Sequence, residues 1–450
     1  MRTTLLLVGI FHFFCFSTDG QNLASLQKGW GGLGYSPDLT SHSELERELF
    51  KEWAKEGKPD ELWLLIAADP EAAKADYEVA KAKRQKMIND LEKQKIRGRR
   101  NVSQLFRIQR YLKKHFLQTY DPFASYWDMF SSKRYNSAMA TLLYSEVFTH
   151  FDIPHERWSN AVYSYIRVDP SGMDEYIDPL DQPEDNSLDP MPFDLPLQEK
   201  TDFLAYARMG KFIAFDSINQ SMVDNLVYQY YQPEERMERF QLAGLQYFQL
   251  GRGLYWKGKY EESIPYFEKA FLLYPVLASR YYTYKSHVGM LGGRDLSKVE
   301  DIDLLTKIYR MLPSQPAEEA ILVSFQKIMV ANMVKADNED FVVEVKDQLI
   351  QSEVSDQIKA GVATIYYREK AKEAAKDGDY SQARDFMENM QVANSEDQML
   401  ANVVIKNFYN QLEDCTLREL LWKEDKERYP FLEKQPQILS LVNDCEQGTR

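Results

Sequence analysis

Residues 244–277 read GLQYFQLGRGLYWKGKYEESIPYFEKAFLLYPVL, and this stretch decides the fold. Its length and spacing predict two antiparallel helices, with Gly258 and Tyr260 at the turn between them. Small residues at Gly251, Ser263 and Ala270 let two helix backbones approach closely. Tyr247 and Phe267 fill the groove between the helices, and Pro275 closes the unit.

These residues resemble a tetratricopeptide repeat. Tyr247 takes the place of the usual tryptophan, Leu250 and Gly251 match as they stand, and Leu254 replaces a tyrosine. A weaker copy spans Thr364 to about Asp397, with Tyr367, Ala371, Gly378, Tyr380, Ala383 and Met387 at equivalent offsets. Between the two, Ile321, Leu322, Phe325, Ile328, Met329 and Met333 form a stripe at helical spacing, expected to face a core. Residues 241–450 are therefore expected to stack as a helical repeat domain, capped by the stretch from Leu400 onward. Such an array presents a concave surface, and the resemblance implies that it takes a protein or peptide.

Composition narrows the rest. Hydrophobic residues make up 44% of the 450, enough for a substantial core. A formal net charge of −14 argues against nucleic acid as a partner, because phosphate contacts need a basic footprint. Residues 1–20 read as a signal peptide, with Arg2 ahead of the apolar run Leu5–Phe16 and small residues Thr18 and Gly20 before a cut at Gln21. That run is too short to cross a bilayer comfortably, and no transmembrane segment is expected after its removal. An exported, periplasmic or surface-associated protein follows. Cys415 and Cys445 then meet oxidising conditions, and a disulfide between them and two unpaired thiols are both open readings. Residues 21–42 read as a flexible arm.

Helices are expected from Ser43, where Ser43 and Glu46 make a capping box, and again from Asp69-Pro70 to about Lys95. The basic cluster Lys93, Lys95, Arg97, Arg99 and Arg100 reads as a solvated turn. Leu105, Ile108, Leu112 and Phe116 mark a further amphipathic helix, and Met139, Leu142, Leu143 and Val147 mark another over Ser137–His150. Residues Ala161–Val168 read as a strand. The following loop carries Asp174, Glu175, Asp178, Asp181, Glu184, Asp185, Asp189 and Asp194 without a basic residue. It lacks calcium-loop spacing and its prolines suggest an extended, solvated segment, so neither metal nor cofactor is expected.

Residues 105–170 resemble the transglutaminase-like, papain-type domain that precedes tetratricopeptide repeats in exported bacterial proteins of the Bacteroidetes. The resemblance is carried by Tyr120-Asp121-Pro122, Phe130, Tyr135-Asn136-Ser137, Ala140, Leu142-Leu143-Tyr144, Asp152-Ile153-Pro154, Val162-Tyr163 and Val168-Asp169-Pro170. It implies a mainly α chain: a small α+β papain-like domain within residues 43–196, a connecting segment over 197–240 and the helical solenoid. The family's catalytic cysteine falls at Ser137 and its histidine at Ala161, leaving only an acidic member at Asp178. A hydroxyl nucleophile needs a base within hydrogen-bond reach. His150 lies about 20 Å along the same helix, and His155 follows its end. Neither should reach Ser137. The expectation is a catalytically dead domain leading into a binding array. The rival is a peptide-directed hydrolase or transferase drawing its acid–base set from around Asp178 and Asp181.

Overall fold

The computed structural model describes residues 40–448 apart from 57–59, 98–100, 160–162, 173, 178–194, 214–219, 232–233, 239, 335–337 and 393. The chain is mostly helical, as the periodicity predicts, and divides after Gly292 into two compact units.

The first unit begins with α1 (Glu44–Glu56), α2 (Glu61–Ala67), α3 (Lys74–Lys93) and α4 (Asn101–His115). Asp69-Pro70 does not open α3. The Asp69 carboxylate accepts from Glu71 N–H and its carbonyl from Ala72 N–H, which makes a turn, and the short helix α2 ends just before it. A two-residue parallel pairing follows, β1 (Thr119–Tyr120) with β2 (Arg134–Tyr135), around α5 (Tyr126–Ser131).

At the centre lies α6 (Ser137–His150), apolar on nearly every side and correspondingly buried from Ala138 to Phe148, apart from the half-buried Glu146. It packs on an antiparallel sheet of β3 (His155–Ser159), β4 (Ser164–Val168), β5 (Glu175–Ile177) and β6 (Glu235–Arg236), in the order β5-β4-β3-β6. Next come α7 (Leu197–Met209), α8 (Gln220–Tyr230), α9 (Gln241–Trp256), α10 (Tyr260–Leu273) and α11 (Leu277–Met290). The hairpin α9–α10 packs on α6 and α2 through α9, and on α11 through α10.

The second unit is all-helical among the described residues: α12 (Val299–Met311), α13 (Gln315–Met329) with a π-turn at Val330–Val334, α14 (Glu339–Gln351), α15 (Asp356–Lys376), α16 (Tyr380–Met387), α17 (Ser395–Gln411), α18 (Cys415–Arg428) and α19 (Pro436–Gly448). Ile321, Phe325, Ile328, Met329 and Met333 of the central stripe are buried. A bidentate ion pair from Arg384 to Asp425 lies inside the C-terminal core, with the Tyr409 hydroxyl donating to the same carboxylate at 2.7 Å.

The hairpins α9–α10 and α15–α16 turn in the same way. Gly258 (φ +74°) and Gly378 (φ +82°) occupy equivalent positions in the left-handed region, where glycine is favoured. Lys259 N–H donates to Leu254 O at 3.0 Å, and Asp379 N–H to Ala374 O at 2.9 Å, closing both helices in one pattern.

Candidate functional site

The start of α6 and the hairpin α9–α10 form one buried polar network. The Asn136 side chain caps α6 by accepting from Met139 N–H at 3.0 Å. Its amide donates to Ala124 O at 3.1 Å and to Gln246 Oε1 at 2.7 Å. Gln246 in turn donates to Ala124 O at 3.0 Å. Ser137 has no solvent exposure, and its Oγ accepts from Gln249 Nε2 at 3.3 Å. Two glutamines of α9 thus seal the first turn of α6. Among the described residues the hydrogen-bond partner on its oxygen is an amide donor, which cannot take its proton. Ala161 and Asp178 lie outside the described residues.

His155 is the histidine that does meet a serine. Its Nε2 lies 2.8 Å from Ser145 Oγ and its Nδ1 2.9 Å from Ile153 O. The carbonyl can only accept, so Nδ1 carries the proton and Nε2 accepts from Ser145. Burial holds the imidazole below its ordinary pKa, consistent with the neutral form. Ser145 sits in the middle of α6, however, where neighbouring N–H groups are committed to the helix and none is left for an oxyanion. The contact is a staple between α6 and β3.

The hairpin carries the packing positions. Tyr247, Gly251, Ser263, Phe267 and Ala270 are buried, Leu250, Leu254 and Tyr260 half-buried, and Gly258 and Pro275 exposed. A Cβ on Gly251 would lie 2.9 Å from the Phe267 ring and 3.0 Å from Tyr266 Cβ, so the helices cross with no room for a side chain there. Ser263 Oγ lies 2.8 Å from Ser286 Oγ of α11.

Sequence reasoning missed what the N-terminal segment does to this hairpin. Glu46 of α1 is wholly buried, accepting from Lys269 Nζ at 2.7 Å and from the Tyr247 hydroxyl at 2.7 Å. Ser43 Oγ accepts from Glu46 N–H at 3.1 Å as a cap should, but the Glu46 carboxylate accepts from His42 N–H instead of closing the box on Ser43. The His42 ring stacks on Tyr266 with centroids 4.0 Å apart. Burial, and secondarily the Lys269 charge, push its pKa down to about 3.

A second missed feature is Arg252, which is buried among rings. Its guanidinium stands 4.5 Å from the Trp256 centroid and 5.7 Å from those of Phe248 and Tyr282. Aromatic faces, together with the Glu199 charge and the Tyr282 hydroxyl, hold the guanidinium there.

In the second unit, α12 and α14 border a groove of about 230 Å³. Val299, Ile302, Val345 and Leu349 make its apolar lining, and Thr306, Arg310 and Gln348 supply polar groups. Cys415 is disulfide-bonded, while the Cys445 side chain lies outside the described residues, so the pairing of the two stays an open reading. Among the described residues no group of His, Cys, Asp and Glu could hold a metal ion, and no helix is long and apolar enough to cross a membrane. Asp174, at the head of the acidic loop, is ion-paired with Arg167.

With this geometry in hand, comparison with known proteins returns no matching family model, curated protein or solved structure.

Proposed function

We propose that this chain is a non-catalytic interaction protein of the bacterial cell envelope. In this reading a transglutaminase-like domain without its cysteine and histidine leads into a tetratricopeptide-like array that takes a protein or peptide. The observation that carries it is the α12–α14 groove. At about 230 Å³ it falls below the usual range for cofactor and drug-sized ligands, roughly 300–1,000 Å³, and suits one or two side chains of a longer chain. Its lining offers apolar contact together with hydrogen-bonding groups from Thr306, Arg310 and Gln348.

Two further observations support the reading. The shared turns of α9–α10 and α15–α16 favour a repeat, and the Ser137 hydroxyl, enclosed by Gln249, is unsuited to chemistry.

The test is a peptide array probed with the full chain, followed by titration of the best binders against Arg310→Ala and Gln348→Ala. Losing a well-placed hydrogen-bonding partner costs ~1–3 kcal/mol, so affinity should fall about fivefold to 150-fold. Unchanged affinity in both variants would remove the groove from the reading. Amide turnover that disappears in Asp178→Asn would replace it with the hydrolase alternative.

A further inference from the structure

The chain as a whole is acidic, at −14, yet nine Lys and Arg and no carboxylate occur from Lys93 to Tyr120. Helix α4 sits within this run. Leu105, Ile108 and Leu112 bury its inner stripe. On the outer side Val102 and Phe106, one turn apart, are 63% and 62% exposed. Arg110 follows one turn beyond Phe106, and Lys113 and Lys114 complete the same side. The Asp90 carboxylate, which accepts from the Tyr111 hydroxyl of α4 at 3.4 Å, is already engaged by Lys93 at 3.0 Å. Arg110 and Lys114 make no ion pair among the described residues.

We propose that this outer face of α4 docks on an anionic lipid surface. A helix whose inner face is packed cannot sink into a bilayer. It can set two apolar side chains at the headgroup boundary and hold them there with surrounding basic residues. Val102 and Phe106 are the apolar pair, and Arg110, Lys113 and Lys114 the basic flank. A convex helix side suits a flat, fluid surface, which adapts to it. An acidic protein would need a matching groove or ridge. Repulsion between the acidic remainder and the same lipids favours contact through this face over any other.

The experiment is co-sedimentation of the full chain with vesicles of phosphatidylglycerol in phosphatidylcholine, against vesicles of phosphatidylcholine alone. The chain should partition onto the anionic vesicles and be released by salt, since the attraction is screened within roughly 8–10 Å near physiological ionic strength. Arg110→Gln with Lys114→Gln should weaken partitioning about thirtyfold, at ~1 kcal/mol per basic residue near the surface. Phe106→Ser should weaken it about tenfold. All three positions are outward-facing, and circular dichroism checks that the variants fold. Equal partitioning onto neutral vesicles, or variants that bind as tightly as the parent, would overturn the proposal. So would absence of salt release in the parent chain, a readout that needs no variant. Tighter capture by polyglutamate than by the anionic vesicles would overturn it in favour of an acidic polypeptide.

Discussion

Glu46 and Lys269 are separated by 223 residues in sequence and form an ion pair that excludes water from both partners. Such a pair is tolerated because the Tyr247 hydroxyl and the His42 N–H complete the carboxylate's hydrogen bonding. Removing one partner strands the other. Glu46→Ala should therefore cost ~3–5 kcal/mol in urea unfolding, whereas Glu46→Met with Lys269→Met should recover most of the loss. If the double variant is no better than the single ones, the pair is not what anchors α1. His42 beside it makes a pH-dependent contribution. Its folded pKa of about 3 lies below the ordinary imidazole value of 6.5, so as pH falls from about 6.5 towards 3 the unfolded chain binds a proton that the folded chain refuses. Stability from this residue is whole above 6.5 and is lost progressively below it. His42→Phe should flatten the dependence of the urea midpoint over pH 6.5 to 4, and an unchanged slope would count against it. None of this is visible in sequence. Glu46 reads as the third residue of a cap, and Gln249 as an ordinary helix residue, because their partners lie one hundred or more residues away.

Local pattern carries further at the level of elements. Met139, Leu142, Leu143 and Val147 recur at helical spacing, which places α6 at Ser137–His150, while its burial on nearly every side comes from the small and apolar residues between them. Strand β4 falls inside the stretch read as Ala161–Val168 for its β-branched and aromatic residues. Strand β3 escapes notice because His155-Glu156-Arg157-Trp158-Ser159 carries charge, and its pairing with β4 on one side and β6 on the other decides its state. Asp69-Pro70 predicts too early a start for helix α3 because the pair serves equally well to make a turn. The hairpin glycines divide by physical reason. Gly258 is left-handed with nothing within 4 Å of a would-be Cβ, so its requirement is conformational, while Gly251 is required for space. Gly258→Ala should cost ~1–2 kcal/mol and Gly258→Asn less, since asparagine tolerates that backbone region. Gly251→Asn gains nothing from that tolerance and should cost ~1–3 kcal/mol through overpacking against Phe267 and Tyr266. Thermal unfolding of the three variants gives the order, and equal losses for the two asparagine variants would contradict the distinction.

Each of the two units divided at Gly292 has its own buried ion pair and its own aromatic core. In the first, Lys269 and Glu46 lie beside Tyr247. In the second, Arg384 and Asp425 lie beside Tyr409, within a cluster that includes Met387, Trp422 and Leu432. A chain that divides into two compact units need not unfold as one cooperative step. The charged pairs offer a means of addressing one core at a time, because deleting a partner leaves a buried charge in that core alone. Lys269→Met should lower the stability of residues 40–292 by ~3–5 kcal/mol, and Arg384→Met should do the same for residues 293–448. Native-state hydrogen exchange followed by mass spectrometry resolves the two, since amides report the opening energy of the unit that contains them. In the Lys269→Met protein, peptides from α9 and α10 should lose protection while those from α17 and α18 keep theirs, and Arg384→Met should reverse the pattern. Loss of protection throughout the chain in either variant would mean that the two cores open together.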